Sequence, residues 1–217
     1  MAIIKHKSQR VGIFIDTQNL YHSAKNLYRT KVNFGQVVKE ALAGRVLIRA
    51  VAYVVRTESD EEKSFFEALN KLGIETKVKD IRVFAGGAKK ADWDIGMAID
   101  AIAMAPKLDT VILATGDGDF VPLVEYLKFT QGCQVEVISF GKSSAQQLRE
   151  AAHDFIDMCD DPGTYLLGYR AGGRRFPFLS ASGVPQAEPD LEGEVDDEND
   201  QSDDEDPAIS MSGEPNK

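Results

Sequence analysis

The stretch VGIFIDTQN, residues 11–19, decides the fold. Its five leading apolar residues are branched or aromatic apart from one glycine. They show no polar alternation, as expected of a strand covered on both faces. The run stops at Asp16, and a helix is expected over 19–28. TVILATGDGD, residues 110–119, repeats the arrangement: a buried strand over 110–114 ends in Thr115-Gly116-Asp117-Gly118-Asp119. Two buried strands that each run through acidic residues into a helix describe an α/β protein.

Working outward, Asn33 can cap a second helix reaching residue 43. A buried strand follows over 46–55, then a helix from Ser59 or Asp60 to 72, with Gly73 as its stop. Residues 74–83 alternate apolar side chains with Lys and Arg, the pattern of an edge strand. Residues 84–90 contain Gly86-Gly87 and read as a loop. A helix over 92–105 places Ile95, Ile99 and Ile102 on one stripe, expected to face the core, and Pro106 closes it. A helix over 119–130, stopped by Gly132, leads to a strand over 134–140. Ser143 or Ser144 is expected to cap a helix reaching 152, before a last apolar run at 155–158. This alternation implies right-handed crossovers and a mostly parallel central sheet with helices on both faces. In such sheets ligands sit outside the carboxyl ends of the strands.

The 217 residues, 43% hydrophobic, suffice for one core with length to spare. The net charge of −10 is unevenly placed: residues 171–217 hold 13 acidic and 3 basic side chains, leaving 22 of each sign in 1–170. The domain itself is neutral, so overall acidity does not exclude a nucleic-acid partner. Residues 1–10 read as an N-terminal extension, 11–165 as the folded domain and 171–217 as a disordered acidic tail, too polar to offset its ordering entropy. Cys133 and Cys159 lack ligand spacing and read as free thiols. MAIIKHKSQR lacks the apolar core of a signal peptide, and no run approaches the ~18–20 residues that span a bilayer. A cytoplasmic protein with no membrane partner is expected.

Three segments bring acids to the expected ligand edge: Asp16 with Asn19, the Asp117/Asp119 pair, and Asp92 with Asp94 at the start of the 92–105 helix. Each has an ordinary alternative as a cap, Asx-turn or first-turn acid. Together they are a set of carboxylates whose repulsion a cation would relieve. An oxygen-only donor set with no His or Cys suits Mg²⁺ or Mn²⁺, and such ions serve phosphoryl chemistry. Asp100, in an otherwise apolar helix, is either a further site acid or a structural one. Lys89, Lys90 and Lys142 are candidates for meeting a nucleic-acid backbone. No G-x-G-x-x-G or Walker A sequence is present, which argues against dinucleotide and ATP sites. Gln18 stands where a haloacid-dehalogenase-type phosphatase needs an acid. Asp117-Gly118-Asp119 has the form of a glycosyltransferase metal motif, but nothing else suggests a sugar-nucleotide pocket.

FIDTQNLYHSAK, KKADWDIGMAIDAI, VILATGDGDFVPLVEYLK and QLREAAHDFIDM resemble, in order and spacing, the motifs of the LabA-like NYN domain family, within the PIN-like nuclease superfamily. The resemblance covers roughly residues 11–159. It implies a PIN-like three-layer α/β/α sandwich and a metal-dependent ribonuclease. Asp16 and Asn19 match the first motif, Asp94 the acid opening the central helix, and Thr115, Asp117 and Asp119 the Ser/Thr-Gly-Asp-x-Asp segment. Asp154 matches a recurring Asp near the domain's end. The expected catalytic set is Asp16, Asn19, Asp94, Asp117 and Asp119, with Asp16, Asp94 and Asp117 on the metal. RNA is the expected partner; pairing into a homodimer is an analogy with PIN-like domains. The alternative is a regulatory RNA- or protein-binding module without turnover, with the acidic tail recruiting a partner.

Overall fold

The computed structural model describes residues 3–56, 60–80, 82–83, 89–90 and 93–169. The expectations for Asp92 and for the tail at 171–217 lie outside them. The elements are β1 (Arg10–Asp16), α1 (Thr17–Tyr28), α2 (Phe34–Leu42), β2 (Val46–Arg56), α3 (Asp60–Lys71), β3 (Glu75–Asp80), β4 (Arg82–Val83), β5 (Lys89–Lys90), α4 (Asp94–Met104), β6 (Thr110–Ala114), α5 (Val121–Phe129), β7 (Gln134–Ser139), α6 (Gln146–Ala151), β8 (Asp154–Asp157) and α7 (Pro162–Tyr165).

Six strands form one sheet in the order β3-β2-β1-β6-β7-β8, with every pairing parallel. Alternate residues of β1 feed two separate cores. Val11, Ile13 and Ile15 pack with Leu20, Val37, Ala41 and Leu69 of α1–α3. Phe14, with Val51 and Tyr53 of β2, packs with Met97, Leu123 and Leu148 of α4–α6. The result is the three-layer α/β/α arrangement. The central strands have no wet face, which is why their sequences lack alternation.

Several local expectations change. Lys89-Lys90 is not loop but pairs antiparallel with Arg82–Val83, and β3 ends at Asp80 before that hairpin. Residues 118–120 form a separate 3₁₀ turn, so α5 begins only at Val121, with Pro122 in its first turn. Neither Ser143 nor Ser144 caps α6. Ala145 occupies that place without a side-chain bond, and the two hydroxyls are engaged with Ser23 and the Phe140 carbonyl.

The largest correction concerns α4. Ile95 is 74% exposed and Ile99 59%, whereas Met97 and Ala101 are buried. The helix is apolar nearly all round, so two faces satisfy the helical period. The sheet surface beneath it already carries the bulky Phe14, Tyr53 and Leu113. Small Ala101 and Ala105 fit against such a surface where isoleucines would overfill it.

The first core contains one charged pair. The Arg45 guanidinium binds Glu136 of β7 in two-pronged fashion, at 2.5 and 3.0 Å, both side chains fully buried. It also donates to the carbonyls of Ala41 and Leu42. Lys5 reaches Glu136 at 3.2 Å and Asp154 at 2.9 Å, tying the chain before β1 to β7 and β8.

The exchanged face of α4 makes a direct prediction. Met97→Ala should cost ~2–5 kcal/mol in denaturant unfolding, as a cavity in a packed core does. Ile99→Lys should stay within ~0.5 kcal/mol, as surface changes do. The reverse ranking would restore the isoleucine stripe to the core.

Candidate functional site

β1, β2 and β3 extend to one side of the sheet and β6, β7 and β8 to the other, so the chain's direction of progression reverses between β1 and β6. A crevice opens at such a point in an open α/β sheet. The ladder pairs Ile15 with Ala114, so the next residues along each strand, Asp16 and Thr115, emerge side by side.

Hydrogen bonds join these two strand ends. Asp16 caps α1, accepting from the Asn19 N–H at 3.0 Å through Oδ1. Its Oδ2 accepts from the Thr115 hydroxyl at 3.3 Å, and Thr115 Oγ1 in turn accepts from the Asp117 N–H at 3.2 Å. Asn19 Oδ1 accepts from the Gly116 N–H at 2.8 Å. Asp117 Oδ1 accepts from the Asp119 N–H at 3.0 Å, an Asx-turn. The ordinary roles weighed for Asp16 and Asp117, cap and turn, are thus present, and each occupies one oxygen. Gly116 is also pressed from behind: a Cβ there would lie 2.8 Å from Ser144 Oγ and 3.1 Å from Ser144 Cα.

Burial pushes the Asp16 carboxyl above its usual range. The Asn19 and Thr115 hydrogen bonds pull against that shift, and the charge of Asp117 adds to it. Asp16 is therefore a desolvated acid facing a second acid, an arrangement that favours a proton or a cation.

Asp94 opens α4, directly after Trp93. Trp93 anchors that end, donating its indole N–H to the Val54 carbonyl at 2.9 Å and packing edge-on against Tyr53, with centroids 5.5 Å apart. Gly96 admits the indole ring: a Cβ there would fall 2.6 Å from it. Asp100 is turned to another task, accepting from the Tyr53 hydroxyl at 2.7 Å and from Lys77 at 2.5 Å. Asp154 is paired with Lys5, and His153 accepts the Val135 N–H through Nδ1. Lys142 is exposed.

Among the described residues no three His, Cys, Asp or Glu side chains converge to hold a metal ion. The structure thus brings Asp16, Asn19 and Asp117 together, and does not draw Asp94 and Asp119 into one cluster with them. The pair nevertheless fits a hard cation of the Mg²⁺ type, which keeps several waters and takes one or two carboxylates plus substrate phosphates. Thr115, which the sequence marks only as the Ser/Thr of the matched segment, links Asp16 to the Asp117 N–H.

Residues 10–159 match the NYN domain, and the chain belongs to that family, a PIN-like, nuclease-type family whose character points to an RNA-related function. Among known proteins it is similar to the low amplitude and bright protein LabA of Synechococcus elongatus, at 27% identity over 165 residues, covering 71% of this chain and 86% of LabA. A crystal structure of a protein of unknown function from Vibrio parahaemolyticus matches at TM-score 0.69 and 30% identity, over 76% of this chain and all of that one. Among the described residues no helix is long and apolar enough to cross a membrane.

A carboxyl whose pKa is raised by folding holds its proton more tightly in the native state. It therefore costs stability as pH rises through and above its ordinary value of 3.8. Asparagine caps helices as well as aspartate does. Asp16→Asn should melt higher than the parent at pH 7, with the advantage vanishing below about pH 4. Mg²⁺ or Mn²⁺ should raise the melting temperature of the parent and leave the variant unmoved. An equal metal response in both would remove Asp16 from the cation site.

Proposed function

We propose that this NYN domain is a metal-dependent ribonuclease that hydrolyses RNA phosphodiester bonds at the edge formed by Asp16 and Asp117. The observation that carries this reading is the desolvated Asp16 carboxyl held beside Asp117 at the switch point of the sheet. It is supported by the oxygen-only donors and by the divalent metals typical of NYN and PIN-like nuclease folds.

Asp16 and Asp117 would hold Mg²⁺ or Mn²⁺, with Asp94 contributing from the start of α4 and Asp119 completing the acidic edge. A cation bound there supplies Lewis-acid stabilisation of the charge that builds on the phosphodiester during hydrolysis. The chain's own part is position. Asn19 braces the Gly116 backbone, and the Thr115 hydroxyl fixes the rotamer of Asp16 and the path of the loop into Asp117. Such bracing matters because small displacements of reacting groups lower rates steeply. Lys142, with Lys89 and Lys90, would meet the RNA backbone as point charges.

Purified protein incubated with labelled single-stranded and structured RNAs should cleave with Mg²⁺ or Mn²⁺ and not with EDTA. Asp16→Asn/Asp117→Asn should abolish cleavage while remaining folded. Cleavage surviving in that double variant would sink the assignment. No cleavage by either protein, with RNA still bound, would instead favour a binding module of the same fold. A finer test addresses Thr115: Thr115→Val should lower the rate about 10- to 100-fold, as loss of a residue supporting metal ligands does. Thr115→Ser should restore most of it.

A further inference from the structure

The helix that carries Asn19 into the site also presents two rings to solvent. Tyr21 is 42% exposed and His22 is exposed, and the rings meet edge to face with centroids 5.5 Å apart. Leu20, Ser23 and Ala24 form the buried side of α1, so neither ring is needed to seal the core. His22 stands three residues after Asn19, one turn further along the same side of the helix.

One lysine shares their helix face, and another lies in a loop bonded to α1. Lys25 is exposed and follows Tyr21 by four residues and His22 by three, which puts its side chain on their face. A second cation comes from across the site. The Ser143 hydroxyl donates to Ser23 Oγ at 2.8 Å, joining the loop after β7 to α1. Lys142 and His22 are each the immediate neighbour of one of those serines. The same loop backs the acidic edge, since the Ala145 N–H donates to the Gly116 carbonyl at 2.9 Å.

We propose that Tyr21 and His22, between Lys25 and Lys142, form a nucleobase-stacking platform that selects single-stranded RNA and leads it to the acidic edge. Two solvent-facing rings offer π-surface that any base can stack on, and flanking ammonium groups suit the phosphates between bases. Bases in a duplex are already stacked and cannot use such a surface, so the arrangement distinguishes single strands from duplex.

This inference rests on the ribonuclease reading for its place beside the site, but its test does not need turnover. In the full chain carrying Asp16→Asn/Asp117→Asn, binding of a fluorescent single-stranded oligouridylate is measured by anisotropy across a salt series. Tyr21→Ala and His22→Ala should each weaken binding about tenfold, the loss of one base–ring stack. Tyr21→Phe should bind like the parent, because the ring and not the hydroxyl is used. An abasic oligomer of the same length should bind the parent and Tyr21→Ala equally. Lys142→Ala should lower the slope of log affinity against log salt by about 0.7, one phosphate contact on a single strand, while Tyr21→Ala leaves the slope unchanged. Unchanged affinity in both ring variants, or an equal loss for the abasic oligomer, would overturn the platform. Absence of cleavage in the parent with the stacking losses intact would overturn only the nuclease reading.

Discussion

Everything at the functional edge depends on how the end of β1 is joined to the end of β6. The parallel ladder brings the strands to the same level, but backbone pairing stops at Ile15 and Ala114. Beyond that point two side chains take over: the Thr115 hydroxyl between Asp16 and the Asp117 N–H, and the Asn19 amide oxygen on the Gly116 N–H. These bonds hold two acids together at a place where their charges oppose it. They also place one acid where water is scarce, which makes its ionisation responsive to a nearby cation. A less firmly braced pair would relax outward into solvent and lose that property.

The flanking layers make such bracing possible. Each face of the sheet has its own core, and the central strands are sealed on both sides, so the ends of β1 and β6 project from a rigid support. One layer keeps the Arg45–Glu136 pair inside it. That pair is well satisfied, because Glu136, two backbone carbonyls and Lys5 share its polar contacts. Removing one partner would strand the other in the core, which typically costs ~3–5 kcal/mol. Lys5 also ties the segment before β1 to β7 and β8.

The strand pattern was legible in the sequence because continuous apolar runs carry clear positional meaning, and the acids following β1 and β6 do lie together at one sheet edge. The parallel order followed from the alternation of strands and helices. Failures arose where local pattern underdetermines packing. The α4 helix satisfies the helical period on two faces, and only the bulk of Tyr53 and Phe14 opposite selects the one carrying alanines. Asp100 reads as either a site acid or a structural one because its partners, Lys77 and Tyr53, come from strands distant in sequence. Ser143 and Ser144 read as caps because serine before a helix usually is one. Here Ser23 and the Phe140 carbonyl claimed them instead. The bridging part of Thr115 depends on the β1–β6 register, which no local window contains.

Among the described residues the all-parallel sheet has two unpaired rims, and such a rim is an invitation to add a foreign strand. β3 forms one rim with the sequence ETKVKD, in which Val78 is the single apolar residue. β8 forms the other with only four residues, bounded by Asp154 and Asp157. Charge on one rim and brevity on the other oppose edge-to-edge aggregation. The alternating charges of ETKVKD and the shortness of β8 thus leave a foreign strand little apolar surface to settle on.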